Sequence, residues 1–327
     1  MSGLLFLVFP VLGGYALTSL YLLRNPQLLH RRKRTAFHSR HISHRGGCGE
    51  RIENTMEAFQ NSEGLGTELI ELDCHLTADG HVIVSHDENL LRQTGHDVDV
   101  SSLNLQDLPL YKERLEITFN AGQVSSGADR KFALLEDLFR KFPRMPVNVE
   151  IKELNCRLIQ KVSELVRRYG REHITVWASV DHSILRTCRR ENPSMPYSFS
   201  MRRGVMLLLL FYSGLLPFVP LGESFLQFYL IPVINRTFIP EERILKNKLV
   251  LLFLEKLTMR PSLFRHLAAR GIQVHLFVCN EERDMETALG LGATGVMTDY
   301  PTRLTNFLSR LRPQEADPRC LFSEGRS

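Results

Sequence analysis

The sequence predicts an α/β fold: a (β/α)8 TIM barrel preceded by an N-terminal transmembrane helix and carrying a hydrophobic insertion after its sixth strand. Three observations predict it. From residue 41 onward short apolar strands alternate with amphipathic helices, the rhythm of a parallel sheet. Residues 3 to 23 carry no charge. A second long apolar run, from Val205 to Leu221, lies two-thirds of the way along the chain.

At 327 residues the chain is long enough for one large barrel. A net charge of +5 is too small to indicate nucleic acid, and a hydrophobic fraction of 43% is ordinary, so the placing of apolar residues carries the information. Six cysteines, at 48, 74, 156, 188, 279 and 320, form no close pair, which excludes a zinc framework and a dense disulfide scaffold. Cys48, beside the His44-Arg45-Gly46 loop, reads as filler.

Residues 1–24 read as a membrane anchor, because at 1.5 Å per residue the uncharged run spans a bilayer core of about 30 Å. It lacks the basic start and small-residue cleavage site of a signal peptide. The linker 25–39 is basic, with His30-Arg31-Arg32-Lys33-Arg34 at its centre. Positive charge after the span and none before it places the rest of the chain in the cytosol, and the cluster can also meet anionic headgroups.

The barrel is expected over 40–310, with strands near 41–46, 68–76, 81–86, 146–152, 173–179, 196–201, 272–279 and 294–299. In the second strand Glu71 and Asp73, two residues apart, share one face. Two such carboxylates repel unless a cation lies between them, and hard oxygen ligands favour Mg2+ or Ca2+. The fourth strand adds Glu150 and Lys152 on one face. Histidines end the first and third strands, at His44 and His86. Singly each of these would be a structural hydrogen-bonder or a solvated rim group; together, at the carboxyl ends of parallel strands, they mark a catalytic face.

Residues 202–260 read as an insertion that lies on or dips into the bilayer. A full crossing there would put the last two strands on the wrong side of the membrane, and Pro217, Pro220 and Pro232 break its helices. The seventh strand carries His275, read as structural, and Phe277. Residues 311–327 form a polar tail.

His44-Arg45-Gly46, Glu53-Asn54-Thr55, Glu71-Leu72-Asp73 and His86-Asp87, followed late in the chain by Asp299-Tyr300-Pro301, resemble the glycerophosphodiester phosphodiesterase signature in order and spacing. Within that family the chain is most similar to the membrane-bound mammalian lysophospholipase D branch. The resemblance implies one divalent cation, Ca2+ or Mg2+, on Glu71, Asp73 and Glu150, and the substrate phosphate on Arg45 and Lys152. It makes His44 the base and His86 the acid, an order the residues alone leave open. Glu53 has two readings, support behind the metal or direct ligation, of which the first is preferred. Phe277 stands where much of the family has a substrate-stacking tryptophan; it keeps the ring and loses the indole donor. Ile52 replaces a usual proline.

The implied reaction is that of a lysophospholipase D, converting lysophosphatidylcholine and N-acyl lysophosphatidylethanolamine to lysophosphatidic acid plus choline or N-acylethanolamine. The sn-2 hydroxyl can attack first, giving a cyclic phosphate, or water can attack directly. A hydrolase of soluble diesters such as glycerophosphocholine is the alternative, and a non-catalytic lipid-binding protein the alternative of another class. The expected partners are the lysophospholipid and a bilayer, that of the endoplasmic reticulum, with no nucleic acid and no obligate protein partner.

Overall fold

The computed structural model describes residues 2–311, with side chains from residue 9 onward. The polar tail expected at 311–327 lies, from residue 312 on, outside the described residues. The elements run α1 (Ser2–Arg24), β1 (His41–Ser43), α2 (Met56–Gly64), β2 (Leu69–Leu76), β3 (Val82–Val84) and α3 (Leu91–Thr94). Next come β4 (Leu115–Glu116), β5 (Val124–Ser125), β6 (Ala133–Leu134), α4 (Leu135–Lys141), β7 (Val147–Glu150), α5 (Cys156–Arg168), β8 (Thr175–Ala178) and α6 (His182–Glu191). The chain continues with α7 (Met201–Tyr212), β9 (Phe225–Tyr229), α8 (Lys248–Thr258), α9 (Pro261–Ala269), β10 (Gln273–Phe277), α10 (Glu282–Gly290), β11 (Gly295–Thr298) and α11 (Pro301–Leu311).

The barrel closes through parallel pairs. β1 lies between β11 and β2, β2 pairs with β7, β7 with β8, and β9 with β10, which returns to β11. The remaining stave is short: Tyr197 bridges Trp177 of β8, and Ser198 bridges Phe225 of β9. Eight staves therefore form the ring, as expected, but one expected stave is replaced by another. The run at 81–86 is not a stave. It is β3, antiparallel to the upper half of β2 with Cys74 opposite Val84. The sixth stave is β9, which lies inside the stretch 202–260 read as an insertion. That stretch holds β9 between two ordinary crossovers, with α7 before it and α8, continued by α9 from residue 261, after it. β9 reads FLQFY, a short apolar run with a single polar residue, so periodicity does not distinguish it from the apolar helices on either side of it.

The helices cover the staves by amphipathic pattern and are fixed at their ends. In α5 the Asn155 side chain accepts from Leu158 N at 3.0 Å, Leu158, Ile159, Val162 and Val166 face the sheet, and Arg167 and Arg168 complement the C-terminal dipole. Asp181 caps α6 in the same way. By contrast α7 and α8 leave large apolar side chains in the open, among them Leu209 at 62% and Leu249 at 76% exposure.

Among the described residues no helix is long and apolar enough to cross a membrane. The expected anchor at 1–24 runs back into residues 1–8, whose side chains lie outside the described ones. The second half of α1 is docked: Tyr15 Oη donates to Ser213 O at 2.6 Å, Ser19 Oγ to Gly214 O at 2.7 Å, and His266 Nδ1 to Leu23 O at 2.8 Å. The linker 25–39 is likewise held, since Lys33 Nζ donates to the carbonyls of Gly222 and Glu223.

Candidate active site

The first stave ends at Ser43, and the chain turns at once through His44-Arg45-Gly46. Arg45 takes a left-handed conformation (φ 48°), and Gly46 follows at φ +75°, where an added Cβ would meet Phe59 Cδ1 at 2.7 Å. This tight turn points the Arg45 amide at Glu71, which accepts it through Oε2 at 3.0 Å. A strained backbone at a non-glycine residue, held by the packing around it, is the usual mark of a working site.

His44 Nδ1 donates to Asp299 Oδ1 at 2.6 Å, and its Nε2 lies 3.9 Å from Glu71 Oε2. Asp299 follows the eighth stave and is completely buried. It also accepts from Asn280 Nδ2 at 2.7 Å and from the Cys48 thiol at 2.9 Å. Burial opposes its charge, yet His44 and these donors hold the carboxyl below its ordinary value. Asp299 thus fixes the tautomer of His44 and leaves Nε2 as the free nitrogen. Burial and Asp299 push the Cys48 thiol well up, so Cys48 is an inert filler.

Glu71, Asp73 and Glu150 each offer a carboxylate oxygen within 4.8 Å of the others. Burial and mutual repulsion push Glu71 well above the usual carboxylate range, and burial raises Glu150 as well. Asp73 goes the other way: burial opposes its charge, but Lys152 Nζ at 3.0 Å and the nearby Arg45 hold it down. Neither Asp73 oxygen accepts a well-directed hydrogen bond. Three converging carboxylates, Glu71 and Asp73 buried and Glu150 half-buried, with both Asp73 oxygens unsatisfied, fit a hard divalent cation.

Glu53 is not part of that group. Its carboxylate accepts from Arg45 Nη1 at 3.1 Å, Arg92 Nη2 at 2.5 Å and Gln93 Nε2 at 2.9 Å, which leaves it a support behind Arg45. His86 reaches the site from an unforeseen direction. β2 is long enough to rise above the barrel rim; β3 pairs with that extension and comes back down, so that Ser85 N donates to Asp73 O at 3.0 Å. His86 Nδ1 then donates to Asp87 Oδ1 at 2.5 Å, and Asp87 also accepts from Arg92. Burial and the Arg45 charge lower His86 to about 4.

A cavity of about 310 Å3 opens above this cluster. His44, Glu71 and Glu150 line its polar floor, while Val205 and Leu208 of α7 and Leu254 and Leu257 of α8 line its apolar wall. Phe277 stands in that wall with its ring centroid 4.5 Å from Tyr229. His275 faces away and meets Ser39 Oγ at 3.1 Å. Sequence reasoning missed the roles of Asp299, Arg92, Gln93 and Tyr229. Only Asp299 carried a signal, its place beside Tyr300-Pro301 at a strand end.

Carboxylates, His44, the returning His86 and the cations of Arg45 and Lys152, gathered at the carboxyl-end rim of the parallel staves, define a barrel hydrolase acting on a phosphodiester. Comparison with known proteins carries this to a family. The family model for the glycerophosphoryl diester phosphodiesterase family matches residues 44–303. The chain is 50% identical over 313 residues to Lysophospholipase D GDPD3 of Homo sapiens, covering 96% of this chain and 98% of that one. It is 48% identical over 303 residues to human Lysophospholipase D GDPD1, covering 93% and 96%. Among solved structures, a glycerophosphoryl diester phosphodiesterase of Silicibacter pomeroyi superposes with a TM-score of 0.60 at 20% identity, over 86% of this chain and 96% of that one. An Oleispira antarctica phosphodiesterase in complex with sn-glycerol-3-phosphate superposes at 0.58 with 18% identity, over 83% and 97%. The chain belongs to the glycerophosphoryl diester phosphodiesterase family and is a phosphodiester hydrolase.

Proposed function

We propose that the chain is a membrane-anchored lysophospholipase D that releases choline or N-acylethanolamine from lysophosphatidylcholine or N-acyl lysophosphatidylethanolamine and leaves lysophosphatidic acid. The observation that carries this reading is the cavity: a polar floor at His44, Glu71 and Glu150 continuous with an apolar wall on α7 and α8 suits a phosphate headgroup with an acyl chain. Both curated relatives quoted above are named lysophospholipase D. The uncharged run at residues 3–23 supports the anchor, the basic residues after it support a cytosolic barrel, and the shortness of the anchor suits the endoplasmic reticulum.

In this mechanism the phosphoryl group lies against Arg45 and Lys152. His44, with Nδ1 tied to Asp299, takes the proton of the attacking hydroxyl on Nε2. When the sn-2 hydroxyl attacks, its oxygen bonds to phosphorus, the bond to the head alcohol breaks, and His86 protonates the departing oxygen; water then opens the cyclic phosphate. An anionic diester beside Arg45 offsets the charge that depresses His86 and so raises its affinity for a proton. A Ca2+ or Mg2+ ion on Glu71, Asp73 and Glu150 would neutralise charge building on the non-bridging oxygens.

The test is choline release from lysophosphatidylcholine and from glycerophosphocholine by the full chain in detergent, with Mg2+, Ca2+ or chelator, beside His44→Ala and His86→Ala. Metal-dependent release from the lysolipid, lost in both variants, is the expected result. Release from the soluble diester alone would replace this reading with that of a glycerophosphocholine hydrolase. Full activity on a 2-deoxy lysolipid would overturn the cyclic route.

A further inference from the structure

A second cavity, larger than the catalytic one, lies on the flank of the barrel between α1 and α9. It measures about 760 Å3 and touches none of the catalytic residues. Its two sides differ in chemistry. Tyr15, Leu20 and Leu23 of α1, with Phe211 and Tyr212 at the end of α7, give it an apolar side. Arg24 at the end of α1, Arg260 just before α9 and Arg265 within α9 bring it three guanidinium-bearing side chains, and no Asp or Glu lines it. All three arginines reach solvent, so they set a positive potential at the mouth of the cavity that attracts an anion.

An independent observation comes from His266. It is 2% exposed and lines the same cavity. Its Nδ1 lies 2.8 Å from Leu23 O, an acceptor, so Nδ1 carries the proton and Nε2 holds a lone pair. That Nε2 is buried without a partner. Burial lowers His266 to about 4, which keeps the ring neutral at physiological pH. The cavity thus has three cations, an apolar side and, in the His266 ring that lines it, one unused acceptor just beneath the surface.

The groove is also built rather than accidental. α1 is clipped across it by Tyr15 and Ser19, which donate to Ser213 O and Gly214 O. Gly214 sits at φ +75°, where a Cβ would meet Ser19 Oγ at 2.9 Å, so the close approach of α1 requires glycine.

We infer that this groove binds an anionic single-chain amphiphile carrying a phosphomonoester and a free hydroxyl, of the lysophosphatidic acid type: phosphate on Arg24, Arg260 and Arg265, hydroxyl on His266 Nε2, acyl chain along α1. The fit rests on this groove alone and holds whichever diester the catalytic site takes. A phosphomonoester offers more charge than a phosphodiester and is no substrate for diester hydrolysis, so binding can be read apart from turnover.

The experiment is photolabelling of the full chain in detergent by a lysophosphatidic acid probe with a photoreactive acyl chain, with labelled peptides mapped. Labelling is expected within α1 and α9, and the Arg260→Ala/Arg265→Ala double variant should lose at least tenfold of it while still hydrolysing its diester substrate at the unaltered rate. Arg283→Ala, on α10, should label as the parent does. Competition by unlabelled lysophosphatidic acid but not by inorganic phosphate is expected. Equal competition by inorganic phosphate would overturn the amphiphile reading. Unchanged labelling in the double variant, or labels confined to the catalytic cavity, would overturn the site. Loss of catalysis with correct labelling would bear on the active-site assignment and leave this inference standing.

Discussion

His44 and Asp299 are 255 residues apart in sequence and 2.6 Å apart in space. Their bond fixes which nitrogen of His44 is free, so Asp299→Asn, which keeps the shape and removes the charge, should lower kcat by about 10^2- to 10^4-fold, with much less effect on KM. Steady-state kinetics on either diester checks this. A second residue-scale outcome concerns stability. Burial, with a smaller contribution from His38, lowers His275 from 6.5 to about 3. The unfolded chain therefore takes up a proton near pH 6.5 that the folded chain refuses until about pH 3. Stability from this group is complete above pH 6.5, is lost progressively down to pH 3, and changes no further below that. The loss is of the order of a few kcal/mol. Urea unfolding across that range should show the slope, and His275→Asn should flatten it. Glu71 and Asp73 were legible as a pair because strand alternation is a local rule. The role of Asp299 was not, because its partner lies at the other end of the chain.

The His44-Arg45-Gly46 turn depends on Gly46, where a side chain faces both positive φ and the Phe59 ring. Gly46→Ala should cost about 1–3 kcal/mol in denaturant unfolding and reduce activity further by moving the Arg45 amide away from Glu71. The exposed apolar faces of α7 and α8 lead to another outcome. Leu209→Asp with Leu249→Asp should leave the fold and hydrolysis of a soluble diester unchanged while lowering turnover of vesicle-borne lysolipid by about tenfold or more, since each loses apolar burial worth about 1.5–3 kcal/mol. Equal loss on both substrates would separate these helices from the membrane. The sequence errors also belong to this scale. β9 is short and mostly aromatic and apolar, with Gln227 as its one polar residue, so it lacks the polar alternation that identifies strands. β3 has the composition of a stave, yet β7 already pairs with the lower half of β2, so β3 takes the extension above the rim.

The carboxylate cluster ties β2 to β7 across the barrel wall, so its occupancy is felt by the whole molecule. With no cation, repulsion between buried carboxylates destabilises the fold. Mg2+ or Ca2+ at about 100 times Kd should add about 2.7 kcal/mol. Thermal unfolding should therefore shift upward with the ion and fall back with chelator, and Glu150→Gln should remove most of the shift while leaving the ion-free protein no less stable.

The rhythm of elements, the apolar N-terminal run and the residue types of the catalytic motifs were determined by sequence alone, because each depends on neighbours a few positions apart. Which strands close the ring, how a hairpin returns His86 to the level of Asp73, why Glu53 supports Arg45 instead of joining the carboxylates, and where α1 leaves a basic groove on the barrel were decided by tertiary structure. These depend on which distant surfaces remain to be buried once the local elements exist. Local propensity carries no information about that choice; closure of the barrel does.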